Sequence, residues 1–139
     1  MQIQITTNVD EVIRALQRYR ADLPAIVQEP LDRGAMQVLA GMKPYPPPPP
    51  ESRYVRGAPP HSENLGKRWT SRRIRGQEYV GREVGNNASY APWVQSSELQ
   101  ARVHQGRWQT DQEVIERELP GIVADVEQAL RRAADRAGG

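Results

Sequence analysis

The stretch WTSRRIRGQEYVGREV, residues 69–84, decides the fold class. Trp69, Ser71 and Arg73 alternate with Thr70, Arg72 and Ile74, and Arg75–Gly76–Gln77 supplies a turn. On the return, Glu78, Val80, Arg82 and Val84 alternate with Tyr79, Gly81 and Glu83. Two period-two runs around a glycine-containing turn form a β-hairpin signal. Gly85–Asn86–Asn87 reads as a second turn, because Gly and Asn tolerate positive φ. Ser89–Tyr90–Ala91–Pro92–Trp93–Val94 then reads as a short strand or strand edge, since Pro92 donates no ladder hydrogen bond. At the other end of the chain, Gln2–Ile3–Gln4–Ile5–Thr6 alternates as a short half-buried strand.

Helical periods surround these strands. Asn8 and Glu11 suit a capped helix start, followed by Val9, Val12, Ile13 and Leu16 on one face. Asp22–Leu23–Pro24 marks a break and restart, with proline in the first helical turn. The next helix carries Ile26, Val27, Leu31, Val38, Leu39 and Met42, and Pro30 and Gly34 predict a kink or interruption. Near the C-terminus a Gly106–Arg107–Trp108 loop precedes a Thr110/Glu113 capping box. Val114, Ile115, Leu119, Ile122, Val123, Val126 and Leu130 then hold one apolar stripe, with a kink or restart expected at Pro120. Arg131, Arg132 and Arg136 suit a helix C-terminus. The order predicts an α+β domain: a small antiparallel sheet packed against N-terminal helices and a long C-terminal helix. A length of 139 residues fits a single domain over residues 1–139.

Between the helical and β-rich parts the composition changes. Lys43 to Pro60 holds eight of the twelve prolines, five of them consecutive at Pro46–Pro50. Such a run is polyproline II, stiff and extended at about 3.1 Å per residue. Residues 43–66 therefore read as a Pro-rich extended arm outside the core, expected to order on assembly.

The composition excludes much chemistry. With no cysteine, disulfide scaffolds, thiol catalysis and cysteine-based metal sites are ruled out. The two histidines, His61 and His104, each lack a second ligand at metal spacing. The acidic pairs Asp10/Glu11 and Glu116/Glu118 read as solvated helix faces, and Ser96–Ser97 lacks a nucleophile-elbow context. The expectation is a non-enzyme without metal or cofactor. No apolar run reaches the roughly 18 residues of a transmembrane helix and no signal peptide opens the chain, so a soluble protein made in the cytoplasm is expected.

Charge and aromatic content point to partners. From Arg53 to Arg82 there are eight basic residues (Arg53, Arg56, Lys67, Arg68, Arg72, Arg73, Arg75, Arg82) against only Glu63 and Glu78. Lys67, Arg68, Arg72, Arg73 and Arg75 are candidates for contact with an acidic protein or with DNA. Equally, they fit a solvated hairpin face with no specific partner. No recognition helix, zinc finger or RNP motif accompanies them, so base-specific reading is not expected. Three Trp and five Tyr with no Phe match interfaces more than dry cores.

Several strings together resemble the neck and tail-completion proteins of long-tailed bacteriophages and prophages. They are Leu23–Pro24; Tyr45–Pro46 through Pro50 with Ser52–Arg53–Tyr54–Val55–Arg56; Leu65–Gly66–Lys67–Arg68–Trp69–Thr70; Val84–Gly85–Asn86–Asn87–Ala88–Ser89–Tyr90–Ala91–Pro92–Trp93–Val94–Gln95; and His104–Gln105–Gly106–Arg107–Trp108. Gly57–Asn64 makes a longer loop than the family's pattern. The resemblance implies a virion structural protein: a homo-oligomeric ring at the head–tail junction, hexameric by preference and dodecameric as the alternative. It would join the connector or stopper to the tail tube or tail terminator, close to the passing genome and away from any membrane. Assembly would take place in the host cytoplasm. The candidate interface residues are Tyr45, Tyr54, Arg56, Trp69, Asn86, Asn87, Tyr90, Pro92, Trp93 and Trp108. The rival reading is a nonspecific nucleic-acid-binding module using the basic 53–82 segment.

Overall fold

A computed structural model describes residues 1–6, 23–47, 64–76 and 79–138. Strand β1 (Gln2–Thr6) precedes helix α1 (Leu23–Met42). The short helix α2 (Asn64–Lys67) leads into strands β2 (Trp69–Arg75) and β3 (Val80–Asn86). Helix α3 (Ala91–Gln95), a single 3-10 turn (Arg102–His104) and helix α4 (Asp111–Gly138) complete the order. The fold is α+β, with a three-stranded antiparallel sheet of order β1-β3-β2. The helix anticipated from Asn8 lies outside the described residues.

The hairpin closes as its alternation requires. Trp69 pairs with Asn86 and Arg75 with Val80, and the Gly76 amide donates to the Tyr79 carbonyl at 3.0 Å. Ile3, Val84 and Ser71 lie in one cross-strand row, so Ile3, Val84, Val80 and Trp69 share the face toward the helices. There Ile3, Val84 and Trp69 join Ala35, Val38, Leu39 and Met42 of α1 and Val114 and Ile122 of α4 in one cluster. A second cluster joins Val27 and Leu31 to Val80, Val126, Leu130 and Ala133.

Neither proline interrupts its helix. Pro30 is buried inside α1, and Pro120 sits inside the 28-residue α4. Packing of α1 and α4 against each other and the sheet compensates the lost backbone bond. The capping box is half realised, with the Glu113 amide donating to Thr110 Oγ1 at 3.2 Å. Within the stripe of α4, Val114, Ile122, Val126 and Leu130 are buried, whereas Leu119 and Val123 are 43% and 44% exposed.

Two helical glycines set how closely α1 and α4 approach. A Cβ on Gly34 would lie 2.9 Å from Ile122 Cγ1, and one on Gly41 would lie 2.7 Å from Val114 Cγ1. Gly121, in α4, faces open space. The Gly41→Ala variant is therefore expected to lose about 1–3 kcal/mol of unfolding free energy through overpacking. Gly121→Ala should gain about 0.5–1 kcal/mol through helix propensity. Denaturant unfolding of both variants checks this pair; equal gains would contradict the close helix contact.

Candidate protein-interaction site

The segment from Ala88 to Gln109 carries three of the six aromatic residues singled out above, Tyr90, Trp93 and Trp108, and it is built differently from the expected strand. Ala91–Gln95 is helix α3, not a strand or strand edge, and Pro92 sits in its first turn. A proline there gives up an amide hydrogen that the helix start does not use, and its fixed φ suits the helix. The same missing donor that argued for a strand edge is at home here.

Side-chain amides hold this segment in place. Gln95 is fully buried, and its Nε2 donates to the Met42 carbonyl at 2.9 Å and lies 3.4 Å from the Gln109 carbonyl. Gln100 Nε2 donates to the Val94 carbonyl at 2.7 Å and to the Trp108 carbonyl at 3.2 Å. Asn86 is a correction to the expected interface set: it is 5% exposed. Its Nδ2 donates to the Leu65 carbonyl at 2.7 Å, and its Oδ1 accepts from the Ala88 amide at 2.9 Å. It closes an Asx-type turn rather than facing a partner.

The two ends of the proline-rich stretch also belong to the core, which corrects the reading of 43–66 as wholly outside it. Leu65 is buried with Ala88, Ala91 and Val94, and Tyr45 and Trp108 pack on that cluster. The Tyr45 and Trp108 rings meet edge-on at 4.9 Å, and Tyr45 Oη accepts from the Gly66 amide at 3.0 Å. Trp69, 4% exposed, is likewise a core residue and not a surface one. Tyr54 and Arg56 lie outside the described residues.

Among the described residues, half of the exposed large hydrophobic side chains lie in the segment from Ala88 to Gln109. Tyr90 is 44% exposed, Trp93 54%, Leu99 50% and Val103 67%. The Trp93 amide donates to the Tyr90 carbonyl, and the Trp93 carbonyl accepts from the Ala101 amide at 2.7 Å. That bond brings the backbone of the stretch between Leu99 and Val103 up to Trp93. Asn87 is exposed beside this platform and Pro92 is half-buried within it. Periodicity had no means of finding Leu99, in a turn, or Val103, in the single 3-10 turn. His104, at the platform's edge, has its pKa lowered by burial and by the Arg107 charge.

The basic hairpin does not form one patch. Arg72 and Arg73, adjacent on β2, point to opposite faces of the sheet. Arg72 Nε meets Glu83 Oε1 at 2.7 Å, and Gln4 Nε2 donates to Glu83 Oε2 at 3.1 Å. On the helix side, Arg73 Nη2 and Arg82 Nε lie 2.9 Å and 3.1 Å from Asp32 of α1. Lys67, Arg68 and Arg75 are exposed. Glu83 is the cross-strand partner of Arg72 within the hairpin, whereas Asp32 comes from α1, which no local pattern links to it.

These pairs tune both acids. Burial by itself would raise Asp32, but hydrogen bonds from Arg73 and Gln28 and the charges of Arg82 and Arg73 hold it below its usual range. Glu83 is lowered by its hydrogen bonds from Arg72 and then Gln4.

Among the described residues no group of three or more His, Cys, Asp or Glu is placed to hold a metal ion. No helix among them is long and apolar enough to cross a membrane. Comparison with family models, with curated proteins and with solved structures returned no match for this chain.

Both depressed carboxylates bind protons more weakly when folded, so their stabilisation is present above their unfolded values and lost as pH falls through the folded ones. Thermal unfolding of the parent should therefore weaken between about pH 5 and pH 3, and that loss should shrink in Asp32→Asn and in Glu83→Gln. An unchanged acid slope in both variants would contradict the assignment. Separately, Gln95→Ala should cost about 1–3 kcal/mol by leaving buried carbonyls unpaired, whereas Trp93→Ala should change stability by less than about 0.5 kcal/mol. Urea unfolding distinguishes the two, and a large loss for Trp93→Ala would mean that its ring supports the fold.

Proposed function

We propose that this chain is a structural subunit of the neck or tail-completion ring of a long-tailed bacteriophage, using the 90–103 platform to meet its neighbours. One observation carries the reading: large apolar side chains stand exposed on backbone fixed by buried amides. Rigid, exposed Trp and Tyr lose little entropy on burial and are enriched at the energetic centre of interfaces. The reading is also supported by the sequence resemblance, whose most specific string, Gly85 to Val94, leads into α3. A heterologous contact repeated about an axis closes into a ring. As a virion component the chain would lie at the head–tail junction, between connector and tail tube.

The rival, a nonspecific nucleic-acid binder, finds less support. Arg72 and Arg73 are engaged by carboxylates on opposite faces, so they do not add to one phosphate-binding surface.

Native mass spectrometry of the purified chain tests the proposal. A closed oligomer, a hexamer by preference, is expected at micromolar concentration or on addition of tail-tube subunits. A strictly monomeric chain under both conditions, together with salt-dependent duplex DNA binding abolished by removing the Arg68 and Arg75 charges, would overturn it in favour of the rival.

A further inference from the structure

The sheet has two open edges. Its order, β1-β3-β2, leaves β1 and β2 each paired on one side only. The Gly76 amide donates to the Tyr79 carbonyl, and the Asn86 amide donates to the Met1 carbonyl, which fixes the alternation on both sides of β3. Antiparallel pairs alternate between bonded and non-bonded, so Thr70, Arg72 and Ile74 direct their backbone groups to β3. Ser71, Arg73 and Arg75 direct theirs away from it. By the same rule Ile3 and Ile5 bond β3, and Gln2, Gln4 and Thr6 point outward on the far side. Among the described residues no hydrogen bond reaches the backbone of either outward row. Gln2, Gln4, Thr6, Arg73 and Arg75 are exposed and Ser71 is half-buried. We propose that β2 of one copy pairs with β1 of the next, so that the sheets of neighbouring copies join into one.

Charge selects this pairing over the symmetric ones. Two β2 strands meeting about a two-fold axis would, in their central registers, set one of Arg72, Arg73 and Arg75 opposite another, and like charges directly opposite destabilise a ladder. β1, of sequence QIQIT, brings no charge. It also has no Lys, no proline and no bulge, the devices that keep an open edge from pairing. Two β1 strands meeting each other would leave the longer β2 edge open, whereas the mixed contact covers both edges of every copy. Strand direction agrees with it. β1 and β2 both run antiparallel to β3 and therefore parallel to each other. Rotation about an axis along the strands keeps that direction, so β2 of one copy meets β1 of the next as a parallel pair. Such a head-to-tail contact is the type that closes into rings. Gln2 and Thr70 both pair with Gly85, so they share one level of the sheet. Without stagger, Gln2 of one copy lies beside Thr70 of its neighbour.

This inference rests on the homo-oligomeric reading of the function, and the test separates the two. The chain has no cysteine, so full-length Gln2→Cys and Thr70→Cys variants carry one thiol each, both at exposed positions. The two are mixed and treated with a bismaleimide spanning about 8 Å, which tolerates a two-residue stagger. A cross-link between position 2 of one copy and position 70 of another is expected as the main product. Ser71→Pro removes only an outward amide, so it should weaken self-association at least about tenfold with thermal unfolding close to the parent's. Cross-linking remains the readout should that variant fail to fold. A closed oligomer that gives no 2–70 cross-link, or that persists unweakened in folded Ser71→Pro, would overturn the strand pairing and leave the ring reading standing. Cross-links joining only position 2 to 2, or 70 to 70, would overturn it in favour of a two-fold contact. Cross-links from 2 to 70 in open chains of increasing length would support the strand pairing and count against the ring. A monomeric parent with no cross-link would overturn both.

Discussion

The buried carboxamide of Gln95 is the contact on which the rest of the candidate site depends. Its Nε2 bonds the last carbonyl of α1, at Met42, and reaches the Gln109 carbonyl just before α4. One side chain on the short helix α3 thus joins both long helices at the end where they approach through Gly41. A buried amide donor is costly unless bonded, and once bonded it favours a single arrangement, although Oε1 of the same group has no hydrogen-bond partner. With α3 so placed, Gln100 can cross-brace Val94 and Trp108, and irregular backbone becomes a firm support for Trp93. The Asn86 turn and the Tyr45–Trp108 contact anchor the same layer from β3 and from the root of the proline tract.

This construction separates stability from recognition. The sheet, α1 and α4 bury the apolar core, including Trp69, with no contribution from the exposed aromatic residues. The platform's apolar side chains are therefore available to contact another molecule without weakening the fold. The hairpin's arginines act within the chain. Arg72 and Glu83 pair on the face of the sheet turned away from α1, and Arg73 and Arg82 fasten the other face to α1 through Asp32. A charge surplus that suggested a partner in one dimension is, for these three residues, largely spent internally in three.

How much of this was legible in the sequence follows from the range of the forces involved. β1, the hairpin, α1 and α4 declare themselves through period 2 or period 3.6, since each buries one face against a common core. The opposite orientations of Arg72 and Arg73 were already implicit in that alternation, though Asp32, the partner that α1 brings to Arg73, was not. The layer from Ala88 to Gln109 was not legible. Its shape is set by side-chain amides bonding carbonyls as distant as 53 residues, and nothing local announces such a bond. Pro92 was misread for the same reason: its missing amide hydrogen fits a strand edge and a helix start equally well. The aromatic residues were correctly singled out as a group. Only burial divides Trp69, which fills the core, from Trp93, which does not.

The central claim is that a firmly held aromatic platform makes this chain an assembly subunit. It is tested most directly by imaging the purified particle by electron cryomicroscopy and locating Trp93. The account predicts a closed ring in which the Trp93 indole is buried at the boundary between copies. A ring with Trp93 facing solvent would contradict it.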